Sequence, residues 1–192
     1  MKKILILTLP LGLNYGGIAQ AFARQKISSG KDTEATTTHA TPRRRTLSYL
    51  KQSVVDSIRK RNLHIYTRMN EAYITQKTNM FIEQYMRTVH VLHNVNSYDA
   101  LIVGSDQVWR KSYVNVPSYM FDFLQNDKKV KRLSYAASFG TEDLSEYGDE
   151  LIATTAKLAK KFDGISVRED SGVDIAKKYW SVDAEQHVDP TL

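Results

Sequence analysis

The residues able to do chemistry gather in four short stretches rich in glycine or small polar side chains. Gly104-Ser105-Asp106-Gln107-Val108-Trp109 sets a hydroxyl, a carboxylate and an amide directly after an apolar run. Asp106 could accept a proton from a substrate hydroxyl, as a general base must, and Trp109 could stack on a sugar ring. The same pattern also makes a helix cap, because Asp or Ser at a helix start forms the same local hydrogen bonds. Leu11 to Gly17 carries Gly12, Gly16 and Gly17, with Asn14 and Tyr15 before the glycine pair. It is neither the G-x-G-x-x-G fingerprint nor a P-loop. Gly16 and Gly17 ahead of a helix would bring a ligand to backbone N–H groups at the helix's positive end, or would simply form a tight turn. Ser138 to Thr141 is the third stretch. In the fourth, Arg168-Glu169-Asp170-Ser171, Arg168 could grip a phosphate or carboxylate bidentately, or pair with Glu169. His90 and His93 are spaced to face each other on a helix, but no further ligand is evident and no metal site is expected.

Elements that would position these stretches follow from the apolar patterning. Lys3 to Leu9 and Asp99 to Gly104 are continuous apolar runs, as strands covered on both faces show. Glu34 to His39, Lys131 to Ala137 and Ile165 to Val167 are further strands. Helices are expected over Ile18–Ser28, stopping near Gly30, and over Leu50–Lys60. Others are expected around Phe81–Val89, along Leu151, Thr155, Leu158 and Phe162, and over Val173–Tyr179. Strands alternating with helices indicate an α/β fold with a mostly parallel, Rossmann-like sheet. Ligands of such sheets bind beyond the carboxyl ends of the strands, which is where all four stretches fall.

One competing reading concerns the N-terminus. Lys2-Lys3, the apolar residues to Leu13 and Ala19-Gln20-Ala21 have the outline of a secretory signal. Asn14-Tyr15-Gly16-Gly17 is turn chemistry, however, and favours a buried first strand feeding a glycine loop.

The 192 residues suit one domain, and 42% hydrophobic content is enough for a packed core. Without cysteine there are no disulfides, thiolate metal sites or cysteine nucleophiles. No apolar run approaches the roughly 18 residues that span a bilayer. The net charge of +6 lies wholly in residues 43–61, where seven basic side chains face one acid, Asp56. Such a run is a solvated face or a contact for an anionic partner. No aromatic-interleaved nucleic-acid motif accompanies it, so nucleic acid is not an expected partner.

Five blocks together resemble the polysaccharide pyruvyl transferase family. They are Asn14–Ala21, Tyr98–Trp109, Ser134–Gly140, Phe162–Gly172 and Val188–Leu192, in the family's order. The resemblance implies transfer of the pyruvyl group of phosphoenolpyruvate to two sugar hydroxyls as a cyclic ketal, with release of phosphate. It implies no cofactor, phosphoenolpyruvate being the donor substrate. The acceptor is then a sugar or oligosaccharide, free or lipid-linked, of an exopolysaccharide, capsule or cell-wall glycan. The implied location is the cytoplasm, at the inner face of the membrane for a lipid-linked acceptor.

The implied architecture is the N-terminal half of a two-domain, GT-B-like enzyme. The chain is then one Rossmann-like domain over 1–192 with a basic insertion at about 42–62. The family's second domain is not in the sequence, so the chain works as half of a site or as an oligomer. Asp106 is the implied base. Asn14, Tyr15, Gly16, Gly17, Gly104, Ser105, Gln107, Trp109, Ser138 and Arg168 are the implied substrate contacts, Arg168 for an anionic group. Two other readings are a nucleotide-sugar glycosyltransferase lobe and a non-catalytic glycan- or anion-binding domain.

Overall fold

A computed structural model describes residues 1–12, 14–39, 64–90, 92, 94–124 and 129–192, with backbone alone for 64–74. The expected helix over Leu50–Lys60, the basic run 43–61 and His93 lie outside the described residues. Strands β1 (Lys2–Leu7), β2 (Thr33–Thr38), β3 (Ala100–Val103) and β4 (Lys131–Ser134) form a parallel sheet in the order β2-β1-β3-β4. β5 (Ser166–Val167) and β6 (Glu185–Gln186) form a parallel pair. Isolated bridges Leu133↔Gly164 and Ala137↔Val167 join that pair to the outer side of β4. Between these two bridges the β4 side carries one extra residue, the arrangement of a β-bulge. Ala136 there takes φ 46°, and the Ser134 and Ser166 side chains supply hydrogen bonds of 3.0 Å that the ladder lacks. The fold is α/β and Rossmann-like.

The central strands are apolar from Ile4 to Leu7 and from Ala100 to Val103, where each face is covered. Leu5 and Leu7 pair in register with Leu101 and Val103 and enter the larger core. On the opposite face, helix α1 (Tyr15–Ser28) brings Ile18 and Ala21 against Ile82 and Met86, at the end of helix α2 (His64–Tyr85). Gln25 of α1 is buried, but its amide donates to Thr37 Oγ1 and Arg87 O and accepts from Arg87 N–H, so burial costs it little. The larger core lies under helices α3 (Asp149–Ala159) and α4 (Asp170–Ile175), the latter running into a π-turn over Ala176–Trp180. Among the described residues no helix is long and apolar enough to cross a membrane.

Element limits differ from the sequence reading at informative places. α1 begins three residues earlier than Ile18, because the Asn14 side chain caps it by accepting from Gly17 N–H at 3.1 Å. Gly16 and Gly17, which read as a turn, form its first turn. Val89 lies past α2, where its N–H bonds Thr37 O, and Phe162 lies past α3 in the aromatic core.

Candidate functional site

The chain leaves β1 for β2 on one side and returns to β3 on the other. The loops after β1 and β3 therefore diverge at a topological switch point, the place where such sheets open a crevice. Asn14 and Asp106 meet there. The Asn14 amide Nδ2 donates to Asp106 Oδ2 at 3.3 Å, while Asp106 Oδ1 accepts from Gln107 N–H at 2.8 Å. A Cβ on Gly17 would lie 3.0 Å from Asp106 Oδ2, so glycine admits the carboxylate to the first turn of α1. Asp106 thus sits at the positive end of a 14-residue helix, half-buried and open on one side. Tyr15, 65% exposed, and Gly16 flank it at the surface.

Backbone and core residues hold this loop. Gly104 takes φ 125°, and a Cβ on it would fall 2.2 Å from Tyr135 O, so only glycine lets β3 pass β4 here. Ser138 N–H donates to Asp106 O at 3.2 Å, and Trp109 N–H donates to Ser138 O at 3.1 Å. Those two bonds tie the Asp106 loop to the Ser138 loop.

Trp109 is where the structure corrects the sequence reading. It is fully buried, its ring 5.1 Å from Trp180, 5.2 Å from Phe139 and 6.3 Å from Phe162. No sugar can stack on it; its part is to anchor the Asp106 loop in the core. The Tyr147 hydroxyl donates to Trp109 O, and burial, with Glu146 adding to it, pushes that hydroxyl's pKa up and keeps it a donor.

Ser105 and Ser138 are buried as well. Ser138 Oγ donates to Glu169 Oε1 at 2.9 Å and accepts from Gly140 N–H at 3.0 Å. Ser105 Oγ is buried without a hydrogen-bond partner among the described residues. Gln107 accepts from Arg110 Nη1 at 2.9 Å.

Arg168 ends β5 and is already engaged. Its Nε lies 3.0 Å from Glu169 Oε1, its Nη1 lies 3.6 Å from Asp189 Oδ2, and Nη1 also donates to Ser105 O at 3.4 Å. Gln20 of α1 donates to the same Asp189 oxygen. Arg168 therefore ties the loops after β3, β5 and β6 together, and an incoming anion would have to displace carboxylates from it. Arg110 differs: it stacks 4.6 Å over the Tyr113 ring, and no carboxylate among the described residues pairs with it.

The sequence reading offered Glu169 as a partner of Arg168 and missed Gln20 and Asp189 as members of this network. Gln20 lies three residues beyond Gly17 on the same helix face, a signal that spacing carries. Nothing local pointed to Asp189's contacts with Gln20 and Arg168, which come from distant parts of the chain.

His90 pairs with His39 at the end of β2, ring centroids 5.7 Å apart. Burial lowers the His39 pKa, and the neighbouring His90 lowers it further. Among the described residues no three His, Asp or Glu side chains group closely enough to hold a metal ion.

A family model described as polysaccharide pyruvyl transferase matches residues 14–192, a span that begins at Asn14 and takes in every loop of the site. Comparison with curated proteins and with solved structures found no match.

Proposed function

The chain belongs to the polysaccharide pyruvyl transferase family, and from that premise we propose that it supplies the acceptor side of a ketal-forming pyruvyl transfer from phosphoenolpyruvate to a saccharide. The observation that carries this reading is the Asp106 carboxylate at the switch point, oriented by Asn14 and Gln107 and open on one side. The reaction needs two sugar hydroxyls. One adds to the enolpyruvyl carbon, the other displaces phosphate, and the carbon–oxygen bond to phosphate breaks. Of the two hydroxyl protons, one ends on the methylene carbon, making the methyl group, and the other leaves with phosphate. Asp106 is placed to orient and deprotonate a hydroxyl. In this reading the α1 N-terminus and Arg110 favour the donor's negative charge, and Arg168 contributes to the shape of the crevice. In this reading Asn14, Tyr15, Gly16, Gly17 and Gln107 line the crevice around Asp106. A second domain, as the family resemblance implies, would close the crevice and complete the donor site.

The test is phosphate release from phosphoenolpyruvate with a panel of neutral and acidic saccharides. It is run on this chain and on the chain joined to a second domain. Release that falls at least about a hundredfold in Asp106→Asn, with Tm shifted by no more than a few degrees, is the expected result. Full activity in Asp106→Asn would overturn the role given to that carboxylate. No release with any acceptor, together with protection by a nucleotide sugar, would overturn the reading itself.

A further inference from the structure

One face of α1 looks toward the carboxyl-terminal half of the sheet. Gly17 meets Asp106, Gln20 meets Asp189, and Arg24 lies over Tyr135 with its Cζ 3.9 Å from the ring centroid. The first two contacts belong to the crevice, and the third does not. Arg24 Nε is sealed from solvent, and among the described residues it has no hydrogen-bond partner and no carboxylate pairs with the guanidinium. Loss of water lowers its pKa, an effect that Tyr135 only partly opposes.

This cation borders a cavity of about 400 Å³ between α1 and strands β4, β5 and β6, a volume in the range of small-ligand sites. Asp183, Glu185 and His187 also line it. His187 packs 5.6 Å from the Tyr135 ring, and its Nε2 lies 3.2 Å from Glu185 Oε2. The lining thus combines a planar cation that no carboxylate among the described residues pairs with, the Tyr135 ring, and exposed carboxylates with an imidazole.

We propose that it is a subsite for an acidic sugar residue, one carrying a single carboxylate. The carboxylate would meet Arg24 bidentately, and the ring hydroxyls would donate to Glu185 and Asp183. A multiply charged phosphate fits less well, because those two carboxylates repel it. The seven residues from Gly17 to Arg24 amount to about 10 Å of helix, so the subsite lies within an oligosaccharide's reach of Asp106. The inference rests on the glycan-acceptor reading above and gives that acceptor a charge.

The test is a titration of the protein with glucuronate, glucose and inorganic phosphate, following the Arg24 Nε–H and His187 ring signals by NMR. No phosphoenolpyruvate is present, so the result does not depend on pyruvyl transfer. Saturable shifts with glucuronate are expected, with glucose weaker by about tenfold or more. Arg24→Gln is expected to lose about tenfold in glucuronate affinity and Arg24→Lys less, since the charge remains without the planar fork. Glu185→Gln, at an exposed side chain, tests the carboxylates should Arg24→Gln unfold, and is expected to weaken glucuronate about threefold. Equal binding of glucose, tighter binding of phosphate, unaltered affinity in these variants, or no saturable shift would each overturn the proposal. An active transferase with no such binding would place the fault in this subsite; glucuronate binding without phosphate release would place it in the transfer reading.

Discussion

Asn14 does two jobs that can be separated by substitution. Its Oδ1 caps α1 through Gly17 N–H at 3.1 Å, and its Nδ2 reaches Asp106 at 3.3 Å. Losing a cap costs about 1 kcal/mol. The second bond is long and exposed, so although its acceptor is charged it adds no more than about 0.5 kcal/mol. Asn14→Ala should therefore destabilise the protein by about 1.5 kcal/mol, which for a domain of this size lowers Tm by roughly 3–6 °C. Asn14→Ser keeps a capping oxygen and loses only the reach to Asp106, so its cost should be about 0.5 kcal/mol. Thermal unfolding followed by circular dichroism measures both. A double-mutant cycle of Asn14→Ala with Asp106→Ala should return a coupling of about 0.5 kcal/mol. If Asn14→Ser is as damaging as Asn14→Ala, the cap assignment fails. If the cycle shows no coupling, the two loops are not linked through these side chains and Asp106 is not oriented as argued.

Three other outcomes follow from the same geometry. Trp109→Ala removes the indole from a cluster with Phe139, Phe162 and Trp180 and should cost about 3–5 kcal/mol, a large share of a domain's stability. Both tryptophans of the chain are fully buried, so acrylamide should quench native fluorescence weakly and saccharides should leave it unchanged; strong quenching would return Trp109 to the surface. The lowered pKa of His39 means that the unfolded chain takes up its proton first. The His39 contribution is then constant above the ordinary histidine value near 6.5 and declines as pH falls from there through the lowered folded value. Melting at pH 7.5 and 5.5 should show that fall in the protein and a smaller one in His39→Gln; identical profiles would refute it.

What the sequence could and could not disclose has a physical basis. β1 and β3 were legible because a strand covered on both faces must be apolar at every position, and few other elements are. The loops after them were legible because glycine and Asp stand where an apolar run ends. β6 was not, since Glu185 and Gln186 are exposed and carry no periodic signal. Trp109 misled because its position three residues from Asp106 says nothing of Phe139, Phe162 and Trp180, which bury it from remote parts of the chain. Arg168 divides similarly. Its pairing with Glu169 is local and was foreseeable, whereas Asp189 reaches it only because β5 and β6 lie side by side.

The crevice is held together by groups other than those proposed to react. Gly104 sets the close passage of β3 past Tyr135, Trp109 anchors the loop from below, and backbone bonds join it to Ser138. Asp106 itself uses its carboxylate for two hydrogen bonds, one to a neighbouring N–H and one to an exposed Asn14. An amide in its place keeps an acceptor oxygen for Gln107 and loses the charge together with the long, exposed bond from Asn14. Asp106→Asn should therefore shift Tm by no more than a few degrees while removing a base, which makes it the substitution that separates chemistry from folding. A large loss of stability in that variant would mean that the carboxylate is structural, and the proton transfer would then have to be assigned elsewhere.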